Sequence, residues 1–501
     1  MRVVQNRQMQ VGEVDISNLE FDLRSRDDIP RILIGLQHLY CDLPTRKALF
    51  QLLEERLLPS DVDKNNGRPG MTLWAIFVCG VIRLDLNADY DRVHELANKH
   101  MDVRAMLGHA VFNDTYYHHQ ALKDNVGLFT PELLVDVNEL VVKAGHVLVG
   151  KKPEEALRGR CDSFVVKTNV HFPTDVSLLY DAMRKVITLT ARWCARCEMS
   201  DWRQSEYNIR HLKKLWREVQ NKRRGNAKSD EKKAEKEVAI TEAHQQYVKV
   251  AEHYLAKAKQ TLETLAAQEK TDILAVPNEL EIKDFIQHAS RQIDQIKRRA
   301  IQGEAIPHAE KVFSVFEEHT EWVVKGKAGV PVELGLKVCI LEDQHQFILH
   351  HHVMEKQTDD KVAISMVAEA KKRFPELNAC SFDKGFHSPA NQAELKDQLE
   401  TVTLPKKGKL SKQVRAAEKA DAFIQARHAH SAVESAINAL DVHGLDKCPD
   451  HGIDGFKRYV ALAIVARNIH RIGDIIWQQK LQQASRMAKR AKHEQPDKQA
   501  A

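Results

Sequence analysis

Apolar residues recur at helical spacing through the first 150 residues of the chain. Such a repeat places apolar side chains along one face of a helix, and a proline in a first turn suits a helix start. The pattern predicts an all-helical N-terminal domain over residues 1–150, typical both of a helical bundle and of a helix-turn-helix DNA-binding domain. Its helices begin near Asp27-Asp28-Ile29-Pro30, after Gly67-Arg68-Pro69-Gly70, at Ala88 and at Pro131.

The pattern changes to that of β-strands at Cys161. The segment 162–172 is rich in β-branched and aromatic residues and stops before Pro173, and Asp162 lies near its start. A second strand pattern covers 377–382 and ends at Asp383, with Gly385 two residues later. Other strand patterns cover 312–316, 332–341, 346–350 and 401–404, and helical patterns cover 360–374, 389–399 and a stretch that begins near Asp421.

A long, charged helical block over residues 181–310 follows the first strand. Within it, Arg203 to Lys236 contains twelve Lys and Arg against five Asp and Glu, a local net charge of 12 − 5 = +7. Positive charge at this density favours contact with nucleic-acid phosphates, whereas a solvated helix face or coiled-coil arm is the alternative. At the other end, residues 479–501 contain six basic and two acidic residues, which predicts a basic flexible tail.

With the helical block set aside, the elements follow the order β-β-β-α-β-α-β-α, which is the order of an RNase H-like fold. We therefore predict an α/β (α+β) protein with an RNase H-like catalytic core, a mixed five-stranded sheet with helices. This core is split between residues 157–180 and 311–478 by the basic helical or coiled insertion 181–310 after its first strand.

Three carboxylates meet at one edge of such a sheet. Asp162 belongs to the first strand, Asp383 ends the fourth, and Glu434 lies on the polar edge of the last helix. Carboxylate oxygens are the hard ligands that Mg²⁺ prefers, and two ions held roughly 3.5–4 Å apart stabilise both oxygens of an in-line phosphoryl transfer. The pattern predicts that all three residues are catalytic and bind two Mg²⁺ ions, for which Mn²⁺ can substitute. For Asp383 alone, a loop cap is the alternative.

The same segments resemble a known family, the bacterial insertion-sequence DDE transposases, close to the group called ISNCY. The resemblance extends over most of residues 20–475. Its segments are Arg160-Cys161-Asp162-Ser163 with Phe172-Pro173-Thr174-Asp175, Asp383-Lys384-Gly385-Phe386-His387-Ser388, His430 to Asn438 with His443-Gly444-Leu445, and Gly67-Arg68-Pro69-Gly70 with Arg104 to Gly108.

This resemblance implies DNA cleavage and strand transfer at the terminal inverted repeats of an insertion sequence, with Asp162, Asp383 and Glu434 as metal ligands. The chain departs from some related transposases around Glu434, because His430 and Asp441 stand where their signature has arginine and lysine. The large insertion also follows the first strand, whereas many relatives have theirs before the glutamate helix.

Double-stranded DNA, both the inverted-repeat ends and the target, is the expected partner. Because two ends must be paired for insertion, we expect a homodimer or a higher oligomer in the DNA complex, and no membrane partner. The candidate DNA-binding residues are Lys384, Lys406, Lys407, Lys409, Arg427, His430, Lys213, Lys214, Arg217, Arg223 and Arg224.

The start of the chain, its apolar runs and its cysteines indicate where in the cell the protein is located. The chain has no leader-like start, no apolar run long enough to span a membrane, and eight cysteines, mostly in apolar segments. We expect a cytoplasmic, nucleoid-associated protein.

Cys194 and Cys197 have the spacing of half a zinc knuckle but no second pair follows. The run His350-His351-His352 lies on a strand, where neighbouring side chains point to opposite faces, so the three cannot converge on one ion.

Two other functions remain open. A metal-dependent DNA endonuclease without strand transfer would use the same three carboxylates. A non-catalytic DNA-binding protein on a transposase fold would not need them. An assay with pre-cleaved DNA ends separates the first of these from a transposase, because only a transposase joins the ends to a target.

Overall fold

The computed structural model describes residues 11–58, 70–226, 229–268, 275–324 and 331–493. They form two compact units, one of residues 11–169 and 335–493 and the other of residues 170–334. Most of the Gly67-Arg68-Pro69-Gly70 motif and the end of the predicted tail lie outside the described residues. No described helix is both long and apolar enough to cross a membrane.

Most described residues are helical. In chain order the helices are α1 (Ile29–Cys41), α2 (Leu43–Leu57), α3 (Leu73–Asp85), α4 (Tyr90–Lys99), α5 (Met101–Met106), α6 (His119–Val126), α7 (Pro131–Leu148), α8 (Asp175–Arg196), α9 (Ser205–Arg223), α10 (Asp230–Gln268), α11 (Ala275–Ile296), α12 (Asp359–Arg373), α13 (Pro389–Gln398), α14 (Lys412–Glu418), α15 (Asp421–His430), α16 (Ala432–Leu440) and α17 (Gly452–His493).

The strands form one mixed sheet, so the predicted mixed α/β class is confirmed. They are β1 (Leu157–Thr168), β2 (Glu321–Val324), β3 (Val332–Glu342), β4 (Ile348–Met354), β5 (Leu377–Phe382), β6 (Thr401–Thr403) and β7 (Lys447–Cys448). The order is β2-β3-β1-β5-β6, with β4 paired to β3 and β7 to β1. β3 is antiparallel to β1 and β4, whereas β5 and β7 are parallel to β1, and β6 is parallel to β5.

β1 is the central strand, and its two edges differ. Along one edge it pairs with β3 from Arg160 to Lys167. Along the other edge it pairs with β5 up to Cys161 and with β7 only from Lys167. Along this second edge, residues 162–166 therefore lie in the gap between the end of β5 and the start of β7. Asp162 lies in the middle of β1 and not near its start as predicted, because the strand begins five residues earlier.

The N-terminal helices share one hydrophobic core with the sheet. Every residue of α3 is buried, as expected for a helix that is apolar on all sides. α1 and α17 cross with their backbones in contact. A Cβ atom at Gly35 would lie 2.2 Å from the Ile469 carbonyl oxygen, and one at Gly473 would lie 2.0 Å from the Arg31 carbonyl oxygen. Residues 11–58 and 70–150 are therefore packed as part of the first unit.

A buried network of amide side chains ties α7 and α17 to β4. Asn468 Nδ2 donates to Asn138 Oδ1 at 2.8 Å and to the Ile348 carbonyl at 2.9 Å. Asn138 Nδ2 donates to the same carbonyl at 2.9 Å, and the Ile348 N–H donates to Asn468 Oδ1 at 2.9 Å. Because these polar atoms pair with one another inside the core, they specify how the helices align with the sheet.

The second unit consists mainly of α8 to α11, which pack around a core of their own. Two hydrogen bonds lie within this core: Trp202 Nε1 donates to Thr261 Oγ1 at 3.0 Å, and the Tyr247 hydroxyl donates to the Val176 carbonyl at 3.1 Å. α8 begins at Asp175, where the Thr174 side chain accepts a hydrogen bond from the Ser177 N–H. This helical unit follows β1 in the chain.

Three local predictions are wrong. Residues 312–316 are not a strand: the Ser314 hydroxyl accepts the Phe316 and Glu317 N–H groups, and this turn competes with strand pairing. The helix from Asp421 is interrupted at Ser431, whose hydroxyl donates to the His428 carbonyl at 2.7 Å. Residues 479–493 continue α17 and do not form a flexible tail.

Candidate active site

Asp162 and Asp383 lie side by side at the end of β5. The register pairs Cys161 of β1 with Phe382 of β5, so the next residue on each parallel strand is an aspartate. Neighbouring strands are about 5 Å apart, which sets the spacing of the two backbones. β5 stops at Phe382 while β1 continues. Asp383 is therefore exposed beside β1, as expected for the last residue before a turn.

Glu434 comes to the same place on α16. It is exposed in the first turn of that helix, which buries Val433, Ala436 and Leu440 against the first unit. The interruption at Ser431 means that Arg427 and His430 belong to α15 and Glu434 and Asn438 to α16. The single helix predicted from Asp421 is therefore two short helices, and Glu434 lies in the second of them.

The charges of the three carboxylates act on one another. The pKa of Asp162 rises from 3.8 to about 6, first because the side chain is half-buried, and then because Asp383, Asp359 and Glu434 are nearby. A hydrogen bond of 2.7 Å from the Ser163 N–H to Asp162 Oδ1 opposes this rise. The structure thus brings all three predicted residues into one electrostatic cluster, with more negative charge than its surroundings neutralise.

Asp359 is a fourth carboxylate of this cluster, and the sequence analysis missed it. The Ser163 hydroxyl donates to its Oδ1 at 2.7 Å. Lys337 Nζ, on β3, donates to its two carboxylate oxygens at 3.2 and 3.0 Å. At the sequence level, Asp359 looks like an ordinary acidic residue in the first turn of a helix. The alternating pattern of β3, with a lysine among apolar residues, was the available signal for Lys337.

The turn after Asp383 passes close to Asp359. A Cβ atom at Gly385 would lie 3.1 Å from Asp359 Oδ2, so glycine allows the backbone to approach the carboxylate. Lys384 is exposed in this turn.

His430 is held beside the cluster by β5. Its Nδ1 lies 3.0 Å from the Ser381 hydroxyl, which also donates to the Gly159 carbonyl at 3.3 Å. Burial lowers the pKa of His430, and the nearby Asp383 only partly opposes this. The imidazole is therefore neutral near pH 7. It offers a hydrogen bond to a ligand and no positive charge.

The candidate DNA-binding residues of the second unit separate into two groups. Lys213, Lys214 and Arg217 lie on one face of α9 together with Arg210 and Lys222, around an open surface groove. The opposite face of α9 is buried through Leu212, Leu215 and Val219. Arg223 instead lines another pocket, with Arg299, Phe313 and Trp322. Arg224 is the exposed C-cap residue of α9, and its carbonyl accepts from Lys236 Nζ at 3.1 Å.

The candidate DNA-binding residues of the first unit lie in loops and on α15. Lys406, Lys407 and Lys409 belong to the connection between β6 and α14, where the Lys406 N–H donates to Glu418 Oε1 at 2.8 Å. Lys407 and Lys409 are exposed, Lys406 is half-buried, and Arg427 is exposed on α15.

A second cluster of metal-ligand type lies in the same unit. Asp85, His443 and His470 each offer a ligand atom, and these atoms lie within 4.8 Å of one another, so the cluster could hold a metal ion. Among the described residues no other group of three meets that spacing. The acidic cluster around Asp162 is therefore more open than this one.

The other metal-ligand patterns noted in the sequence do not form such groups among the described residues. Cys194 is buried near the end of α8 and Cys197 caps that helix. His350, His351 and His352 lie on β4, opposite Leu341, Ile340 and Cys339. Burial lowers the pKa of His350 to about 4, which keeps it neutral.

Comparisons of the chain with protein-family models, with curated proteins and with solved structures find no match.

Proposed function

We propose that this chain is a DDE transposase that cleaves DNA and transfers strands at the terminal inverted repeats of an insertion sequence. One observation carries the proposal: the register of β1 and β5 sets Asp162 beside Asp383, within electrostatic range of Glu434. The order β4-β3-β1-β5-β6, with β5 and β6 parallel to β1, supports an RNase H-like core.

The cluster suits a hard divalent cation. All three donors are carboxylates. Burial, and then the charges of the neighbouring carboxylates, raise the pKa of Asp162, so a cation among them would offset that repulsion. Asp162, Asp383 and Glu434 would hold Mg²⁺, for which such oxygens are the preferred ligands. When bound, Mg²⁺ would supply activation of a water or a 3′-hydroxyl and neutralisation of the leaving oxygen.

Neighbouring residues position the carboxylates of the cluster. Lys337 neutralises Asp359, and Asp359 in turn accepts from the hydroxyl of Ser163, the residue next to Asp162. Asp359 is thus a positioning residue, because it acts on the cluster through its neighbours. Lys384 is exposed one residue after Asp383 and can contact a phosphate of the DNA strand being cut.

The basic face of α9 is the proposed contact of the second unit with DNA. Arg210, Lys213, Lys214 and Arg217 recur at steps of three and four residues, so their charges lie on one stripe. A stripe of this kind binds phosphates without reading sequence, and its contribution to affinity falls steeply with salt.

The decisive experiment incubates the full chain with Mg²⁺, a supercoiled target plasmid and DNA that carries the inverted repeats flanking the coding sequence. Nicked and joined products are resolved separately, with intact and with pre-cleaved ends. We expect both products with the wild-type chain, and neither with Asp383→Asn, because an amide is a poor Mg²⁺ ligand. Binding of the ends should persist in this variant.

Asp397→Asn is the matched control, since it makes the same chemical change at an exposed residue of α13 and should leave both products unchanged. Cleavage without joining, even from pre-cleaved ends, would identify an endonuclease. Binding without either product would identify a non-catalytic DNA-binding protein. Activity of Asp383→Asn close to wild type would remove Asp383 from the active site.

The role of α9 is tested by the salt dependence of DNA affinity. Each phosphate contact contributes about 0.9 to the slope of log affinity against log salt. Lys214→Glu with Arg217→Glu should therefore reduce the slope by about 2. The control pair, Lys249→Glu with Lys259→Glu, changes exposed residues of α10. Equal slopes for the two pairs would rule out the basic face of α9 as a DNA contact.

A further inference from the structure

Asp85, His443 and His470 come together from three separate elements. Asp85 is the last residue of α3, His443 follows α16, and His470 is in α17. Asp85 and His470 are buried and His443 is half-buried. His470 Nδ1 lies 2.9 and 3.1 Å from the two oxygens of Asp85, and the imidazole rings are 4.9 Å apart between centroids.

In both imidazoles, the ring nitrogen that would not bind the metal faces an oxygen atom. His443 Nδ1 is bonded to the Asp85 backbone carbonyl, so it carries the proton and leaves a lone pair on Nε2. His470 Nε2 lies 3.6 Å from Asp474 Oδ1, so a proton on Nε2 would face that carboxylate while Nδ1 faces Asp85. Bonding of the second ring nitrogen to a carbonyl or carboxylate is typical of metal-binding histidines.

The backbone around His443 is tightly held. Gly444 has φ +103°, and the Tyr459 hydroxyl donates to its carbonyl at 3.1 Å. A Cβ atom at position 444 would lie 3.1 Å from the Tyr459 hydroxyl oxygen and 3.2 Å from Asn87 Oδ1. This turn therefore holds the His443 ring in place before any ligand binds.

We propose that Asp85, His443 and His470 bind one Zn²⁺ ion, with water in the fourth position. Two imidazoles and one carboxylate form a donor set for Zn²⁺, whereas Mg²⁺ prefers oxygen ligands alone. Zn–N bonds of about 2.0–2.1 Å place tetrahedral ligand atoms about 3.3 Å apart. The observed atoms, all within 4.8 Å, reach that spacing with small side-chain movements.

The charges around this cluster come from α1, α3 and α17. Asp85 and Asp474 are the acidic groups, and the basic groups are the buried Arg467 and Arg31, whose Nη1 lies 3.6 Å from Asp474 Oδ1. Because these charges balance, the type of donor atoms, and not a surplus of negative charge, supports a cation at the cluster.

A Zn²⁺ ion at this cluster would link the C-terminal end of α16, the helix that contains Glu434, to α3 and α17. His443 lies nine residues after Glu434, while Asp85 and His470 belong to α3 and α17. The ion would be separate from the acidic cluster and would restrict movement of α16.

The test is Zn²⁺ titration of the full chain after removal of metals with a chelator, in millimolar Mg²⁺ so that the acidic cluster is occupied. A chromophoric Zn²⁺ indicator reports affinity. We expect one tight equivalent per chain, weakened at least 100-fold by His443→Gln or His470→Gln. Asp474→Asn should weaken it by about 10- to 100-fold, as loss of an orienting partner does.

His253→Gln, at an exposed histidine of α10, is the control and should change nothing. Circular dichroism checks that each variant folds. Two readouts use only the wild-type chain: the visible spectrum of bound Co²⁺, expected to be that of a tetrahedral site, and amide exchange at residues 441–445, expected to slow with Zn²⁺. Zn²⁺ uptake no greater than that of the His443→Gln/His470→Gln double variant, or unchanged exchange, would overturn the proposal and leave a hydrogen-bonded Asp–His pair.

Discussion

Replacing Asp162 by asparagine should make the metal-free protein more stable at neutral pH. In the folded state the pKa of Asp162 is raised from 3.8 to about 6, chiefly by burial and then by the neighbouring carboxylates. A raised pKa means that the folded state holds the proton more tightly than the unfolded state. The free energy of unfolding therefore falls as pH rises from about 4 to 6, and the full loss persists above pH 6.

The size of the effect follows from the shift. About two pKa units correspond to about 3 kcal/mol between the protonated and ionised forms. Asparagine keeps an oxygen that can accept the Ser163 N–H bond, which now spans 2.7 Å, and it carries no charge. Relative to wild type, Asp162→Asn should therefore gain up to about 3 kcal/mol of stability on going from pH 4 to pH 7.5.

Urea unfolding in EDTA at the two pH values measures this difference, because titration of all other groups is common to both proteins. Millimolar Mg²⁺ should then stabilise the wild type at pH 7.5 and the variant much less, since a cation replaces the missing proton. A difference between the two proteins that does not change with pH would refute the electrostatic cluster. A Mg²⁺ effect of equal size in both would refute metal binding by Asp162.

Three further changes test the packing and the positioning of the site. Gly35→Ala places a methyl group 2.2 Å from the Ile469 carbonyl oxygen, so urea unfolding should show a loss of about 1–3 kcal/mol; an unchanged midpoint would contradict the contact between α1 and α17. Asn468→Ala removes the partners of the Ile348 N–H and of Asn138 Oδ1 and should cost about 2–4 kcal/mol by the same measurement, whereas a cost under about 1 kcal/mol would mean that these two groups find other partners. Asp359→Ala should slow single-turnover DNA cleavage by about tenfold with end binding intact, and an unchanged rate would assign Asp359 to stability alone.

Local patterns predict much of this fold. Alternation and β-branched residues locate β1, β3 and β5, and helical spacing locates α1, α3, α7 and α12. The aspartate at the end of a short apolar strand, followed by glycine, is a local signal as well, and it predicts the exposed position of Asp383. Each of these features depends on residues within about a dozen positions, where period and turn chemistry act directly.

The features that the sequence analysis missed depend on distant residues. Lys337 and Asp359 are typical of a strand and of a helix start, and only the folded sheet brings them together. Asp85 is 358 positions from His443, so no spacing rule connects them. The strand predicted at 312–316 failed for a local reason, because the side chain of Ser314 bonds to the backbone and a hydrophobic pattern does not register this.

The three proposed ligands are held by different means, and this difference bears on how the site is assembled. Asp162 lies within β1, which is hydrogen-bonded to a neighbouring strand along each of its two edges. Asp383 directly follows β5, the parallel neighbour of β1. Glu434 instead depends on a nine-residue helix that is separated from α15 at Ser431 and is followed by a turn at Gly444. Because backbone pairing constrains the two aspartates and side-chain packing constrains α16, the position of Glu434 is the one most open to adjustment. We therefore expect elements that restrain α16, including the cluster of Asp85, His443 and His470, to determine the position of Glu434 relative to the two aspartates.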